Sequence, residues 1–233
     1  MSGFFNIDSP IMRFLSRVCD LMILNVLCIV CCLPIVTAGA SITALYNITM
    51  KMVRGEESYI FKGFFKAFKE NFKQSTIIWL IMAVLGIFIF VDYQAASVLP
   101  ENVRNIFRIF IGALIIFYAM ILSYVFPYTA RFANNIKNIF KNSLLIAILN
   151  LPWTILIVVI PAALGFATFL TTRTLVYGSM LWMLMGFAVV AYVESMMFRK
   201  IFAKYEPHTE EEISDPDAYT VPEELPDSSN DQE

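Results

Sequence analysis

Histidine occurs once in 233 residues, and charged side chains make up only 15% of the chain. A single histidine, His208, makes acid–base catalysis hard to assemble. Soluble chains carry about 25% charged residues, so this one has too few polar side chains to cover a soluble surface. Cysteine is scarce as well. Cys19, Cys28, Cys31 and Cys32 all lie in or beside one apolar run, which argues against a secreted disulfide framework. Cys28 and Cys31 form a CxxC, but a structural zinc site needs four ligands. Only Cys19 is otherwise at hand, and His208 lies far away near the C-terminus. No nucleophile elbow, HExxH, intramembrane GxGD aspartate pair or phosphate loop is present. These absences predict a chain that is not an enzyme, holds no metal or cofactor, and binds no nucleic acid.

What is abundant is apolar. Hydrophobic residues make up 58%, with 21 Phe, 12 Met and 10 Tyr, and the mean hydropathy is +0.68. The pattern predicts an all-α, polytopic transmembrane helix bundle. The net charge of −2 averages two unlike parts. Residues 1–205 hold all 17 Lys and Arg but only 8 of the 19 Asp and Glu. Residues 206–233 hold the other 11 acids, four prolines and no base. The body, 1–205, is therefore a basic membrane domain. The segment 206–233 reads as a disordered acidic tail, because it cannot bury enough surface to offset chain entropy.

Charge-free runs mark the membrane, since a spanning helix needs about 20 mostly apolar residues. Spans are expected at roughly 12–33, 38–54, 74–92, 106–128, 143–165 and 175–198. The first run is long for one crossing and short for two. Pro34, Gly39 and small neighbours break its centre, so it reads as a tight hairpin. A re-entrant hairpin that never fully crosses is the other reading. Pro152 and Pro161 are expected to kink the fifth span. With six spans, 14 bases fall on the inner side and 3 outside; five spans give 12 and 5. The positive-inside rule thus favours six spans with both termini cytoplasmic, and with 99–102 and Arg173 outside. Ala38-Gly39-Ala40 resembles a signal-peptide cleavage site, but Asp20 interrupts the apolar approach to it.

Between the second and third spans, 58–73 reads as an amphipathic helix. Phe61, Phe64, Phe65, Phe68 and Phe72 recur at helical spacing as one stripe. Lys62, Lys66, Lys69 and Lys73 form a second stripe about 100° further round. An aromatic face beside a basic face suits the inner headgroup layer. Anionic lipids would attract each lysine by about 1 kcal/mol. The same face could dock a cytoplasmic partner. A fainter echo at 137–143 follows 69–75, read as a shared basic anchor before a span.

Ionisable groups within spans are functional suspects. Asp20 and Glu194 are the two candidates, and Asp92 closes the third span. Asn25, Asn47 and Asn150 also lie within spans, where interhelical hydrogen bonding is the expected role.

Several long motifs carry a resemblance. They are LPIVTAGASITALY at 33–46, EESYIF at 56–61, FFKAFKENFKQ at 64–74, FPYTARF at 126–132 and LPWT at 151–154. With them the body resembles the YesL-like family of bacterial integral membrane proteins across residues 4–203. The resemblance implies a bacterial plasma-membrane protein. Family members often sit beside genes for carbohydrate uptake systems and their sensors. It therefore implies an accessory or regulatory component that contacts a sugar-transport permease or a sensor kinase. The alternative is a small secondary transporter coupling through Asp20 or Glu194. No catalytic residues carry over.

Overall fold

A computed structural model describes residues 10–56, 59–98 and 100–205. The expected tail, 206–233, lies outside the described residues. The chain runs through helices α1 (Pro10–Cys32), α2 (Ala38–Arg54), α3 (Ile60–Ala95) and α4 (Glu101–Arg131). It continues through α5 (Ile136–Leu149), α6 (Leu151–Phe169), α7 (Thr172–Leu181) and α8 (Phe187–Phe202). A 3-10 turn, Ile35–Thr37, joins α1 to α2. A π-helical segment, Trp182–Gly186, makes α7 and α8 one continuous rod. No strand occurs among the described residues.

Five helical rods are long and apolar enough to cross a membrane: 11–32, 60–98, 103–131, 151–169 and 172–202. The sixth expected span, α2, is different in kind. Its 17 residues rise about 26 Å, against a hydrocarbon core of about 30 Å. Ten of those 17 residues are buried. This helix is the centre of the bundle, and small residues let its neighbours close in on it. A Cβ on Gly39 would lie 2.5 Å from the carbonyl oxygen of Ser75 and from Cβ of Trp79 on α3. Four residues on, the hydroxyls of Thr43 and Ser75 pair at 2.9 Å. Asn47 donates to the carbonyl of Ala130 on α4 at 2.9 Å, and the hydroxyls of Thr49 and Ser195 on α8 pair at 2.8 Å. With no hydrophobic drive between helices in lipid, such close packing and hydrogen bonding hold the bundle together.

A left-handed glycine ends α2. Gly55 sits at φ 76°, and the Glu56 N–H returns to the Lys51 carbonyl at 3.1 Å. Beyond it, the segment expected at 58–73 is helical from Ile60, but it is not a separate surface helix. No breaker separates it from the third span, so the two run together as the 36-residue α3. Its first turns pack along α2, with Phe64 and Ala67 buried.

The fifth span also starts later than expected. The helix breaks at Asn150 (φ −119°, ψ 42°), just before Pro152, and the apolar rod is Leu151–Phe169 rather than 143–165. Proline at the start of a helix gives up an N–H that had no partner there in any case. The break is sealed by side chains: Asn150 donates to the Ile146 carbonyl at 3.0 Å, and Thr154 to the Ala147 carbonyl at 2.7 Å. Pro161 lies inside α6.

Basic residues converge at one end of the bundle. Arg54, Arg131 and Arg199, from the ends of α2, α4 and α8, line one small pocket. Arg54 also hydrogen-bonds Glu56, and its guanidinium holds that carboxyl below the usual carboxylate range.

Candidate functional site: a carboxylate on a cavity wall

Glu194 of α8 is 3% exposed, deep among apolar neighbours. The phenol of Tyr46 on α2 donates a hydrogen bond to one of its carboxyl oxygens. The aromatic edges around this pair fix its geometry: Phe198 packs edge-on against both Tyr46 and Tyr124, at centroid distances of 6.0 and 5.3 Å. Tyr46 and Glu194 face a cavity of about 790 Å³ between α1, α2, α4, α6 and α8. Cys28, Cys32, Ser123 and Trp182 add the remaining polar atoms, and Glu194 is the one carboxylate among its described lining residues. The rest of the wall is aliphatic or aromatic.

The outer part of the wall is built on the π-segment. A π-turn leaves backbone groups without their usual helical partners, and such segments recur at functional sites. Here Asn25 of α1, fully buried, bonds to the backbone of this segment. Its amide donates to the carbonyls of Trp182 (3.0 Å) and Met183 (2.8 Å), and its oxygen accepts from the Ala188 N–H (3.0 Å). Trp182 is held in turn by donating to the Thr168 hydroxyl at 3.0 Å.

Of the two carboxylates singled out from the sequence, only Glu194 joins this cavity. Asp20 is half-buried beside Arg17, Met52 and Glu56 in a separate surface pocket of about 470 Å³. The two therefore form no relay. Asn25 and Asn47 do bond across helices, to α7–α8 and α4 respectively. Asn150 bonds within its own break and to the Tyr205 hydroxyl at 3.2 Å.

The aromatic and basic stripes of α3 divide. Lys62, Lys66, Lys69 and Lys73 are exposed. Phe61 and Phe72 are exposed too, while Phe65 and Phe68 are half-buried. Phe64 is not a surface residue: at 0% exposure it packs in a core with Leu24, Ala44, Ile48 and Ala191. A helix docked against a bundle must bury the centre of its apolar stripe, and Phe64 with Ala67 is that centre.

Tyr46 and the π-segment do not stand out in the sequence. A buried carboxylate needs a donor, but ten tyrosines offer one and spacing alone does not choose among them. Five apolar rods around a buried α2 define a multi-pass membrane-type protein. Residues 21–93 match a family described as "Protein of unknown function, DUF624". The chain is also similar to the uncharacterized protein YesL of Bacillus subtilis (strain 168), with 29% identity over 139 residues, which is 58% of this chain and 65% of the relative. The uncharacterized protein YteU of the same organism is 26% identical over 125 residues, 53% of this chain and 55% of the relative. The matches thus span less than two thirds of either relative's length. They bear out the resemblance to the YesL-like family. No solved structure matches the chain. The family match takes in the second half of α1, the turn and α2 with Tyr46, but stops before Glu194.

Proposed function

We propose that the chain is a non-catalytic accessory or regulatory protein of the bacterial plasma membrane, linked to carbohydrate uptake, that holds a ligand inside its own helix bundle. The observation that carries this is Glu194 on the cavity wall. An intramembrane carboxylate is expensive to keep, and function is the usual reason for keeping it. The described cavity wall has no histidine, lysine or arginine to share proton transfer with it, which favours binding over bond making. The wall is too apolar to satisfy the hydroxyls of a sugar, so the sugar is not the occupant. The link to carbohydrate uptake rests on the YesL-like resemblance.

The contact with a permease or sensor kinase is assigned to the start of α3, where Phe61, Lys62, Lys66, Lys69 and Lys73 stand exposed, with Tyr59 just before them, on a helix fixed to the body by Phe64 and Ala67. The same lysines would draw anionic lipids. Both termini are placed in the cytoplasm, in line with the base count and with the meeting of Arg54, Arg131 and Arg199 at one end. A photoreactive amino acid at position 61 tests the accessory role. In native membranes it should cross-link to a component of a transport system. Adducts to lipid alone would overturn that role.

One observation favours a second reading, a small secondary transporter: Glu194 lies inside the bundle where a coupling proton could bind. Coupled flux in proteoliposomes that is lost in Glu194→Gln would establish it.

A further inference from the structure

Glu194 uses only part of its hydrogen-bonding capacity. Tyr46 donates to one carboxyl oxygen, and no described residue donates to the other. That side chain is more than nine-tenths buried and stands on the wall of a cavity of about 790 Å³. Pockets for drug-sized ligands run from about 300 to 1,000 Å³ and combine apolar walls with a few placed polar groups. We propose that this cavity binds an amphipathic cation, a protonated amine on an apolar body, with the ammonium at Glu194. The proposal rests on the ligand-binding reading above and names its ligand class.

The chemistry of the wall selects the charge. A buried carboxylate needs a proton or a counter-cation, and the wall supplies no basic side chain. Tyr46 satisfies one oxygen with a neutral donor and leaves the other for a donor from the ligand. An ammonium N–H suits that oxygen and adds a charge-assisted bond. Trp182 and Phe187, whose rings stand 4.9 Å apart, line the cavity about two helical turns or more before Glu194, so they suit the apolar body rather than the ammonium. The aliphatic remainder, including Ile42, Leu45 and Ile157, suits a hydrocarbon body. An anion would meet Glu194 unfavourably, and a neutral alcohol would gain one ordinary hydrogen bond.

The test uses the full chain in nanodiscs of phosphatidylcholine, with decylammonium, decanol and decanoate titrated calorimetrically against empty discs. Wild-type protein should bind decylammonium saturably, one per chain, at least tenfold tighter than decanol, with no saturable binding of decanoate. Glu194→Gln keeps an acceptor for Tyr46, so the bundle should stay folded. It should lose the preference, binding decylammonium and decanol alike. Val190→Trp, which intrudes on the cavity from α8, should weaken both. Equal affinities for decylammonium and decanol in the wild type would overturn the cation while leaving a ligand cavity. No saturable binding of any probe would overturn the ligand-binding reading itself. Decylammonium affinity unchanged by Val190→Trp would place the site elsewhere and sink the proposal.

Discussion

Asn25 and Ala188 meet through a 3.0 Å hydrogen bond between helices 163 residues apart in sequence. The same side chain donates to the carbonyls of Trp182 and Met183, so one asparagine ties the π-turn's backbone to α1. In hydrocarbon each unsatisfied backbone group costs several kcal/mol. Asn25 therefore stabilises the π-segment from α1.

Asn25→Ala should accordingly destabilise the bundle by about 1–3 kcal/mol, the usual penalty for stranding buried polar groups. Thermal unfolding in detergent would read this as a lower midpoint. An unchanged midpoint would show that the π-turn closes to an ordinary helix and needs no partner.

Glycine substitutions should separate packing from propensity. Gly39→Ala places a methyl 2.5 Å from a backbone oxygen of α3, and neither helix can yield without losing the Thr43–Ser75 pair. Folded yield should fall sharply. A Cβ on Gly112 would meet nothing within 4 Å, so Gly112→Ala should be neutral or mildly stabilising, by up to about 1 kcal/mol of helix propensity. Equal behaviour of the two variants would refute the close α2–α3 contact.

The rods were legible because long apolar runs and charge placement are properties of single segments. Glu194 stood out for the same reason, as a carboxylate within an apolar run. Its partner was not legible. Tyr46 lies 148 residues away, and only the α2–α8 packing brings the two together. Residue spacing within 58–73 correctly gave a helix with Phe and Lys stripes. It did not show that the helix would join the next span, because amphipathicity is equally strong on a helix lying on lipid and on one docked to a bundle. The late start of α6 at Leu151 was hidden because a proline near a helix start and a proline kink look alike in sequence.

The two faces of α3 should respond differently to truncation. Phe64→Ala empties a fully buried site and should cost about 3–5 kcal/mol, visible as loss of monodisperse protein. Phe61→Ala removes a ring that is 61% exposed and should leave stability within about 0.5 kcal/mol while lowering capture of a transport-system partner from membranes. Normal stability in Phe64→Ala would contradict its place in the core.

The depth of the α1–α2 hairpin gives the last prediction. Arg54, Arg131 and Arg199 share a pocket, which sets a common level at the basic end of the bundle. Measured from there, α2 climbs at most about 26 Å before it reaches the turn, short of the about 30 Å of hydrocarbon. On the other arm, Asp20 shares a pocket with Gly55 and Glu56, near that same level, and the 12 residues from Asp20 to Cys32 climb only about 18 Å. The tip has the chemistry of a segment in lipid rather than in water. Leu33 and Ile35 are each 75% exposed, with Val36 beside them. Its backbone is paired internally, as hydrocarbon demands. The Thr37 hydroxyl donates to the carbonyls of Cys31 (2.6 Å) and Pro34 (2.8 Å), and the Ser41 hydroxyl donates to that of Cys28 (2.9 Å). The hairpin is thus expected to enter from the cytoplasmic side and end within the bilayer. In a variant with all four native cysteines replaced by alanine, Ile35→Cys should resist a membrane-impermeant maleimide applied to either side. Pro100→Cys, between α3 and α4, should react from outside only. Modification of Ile35→Cys from outside would show a hairpin that crosses completely, and modification of Pro100→Cys from the cytoplasmic side would invert the whole topology.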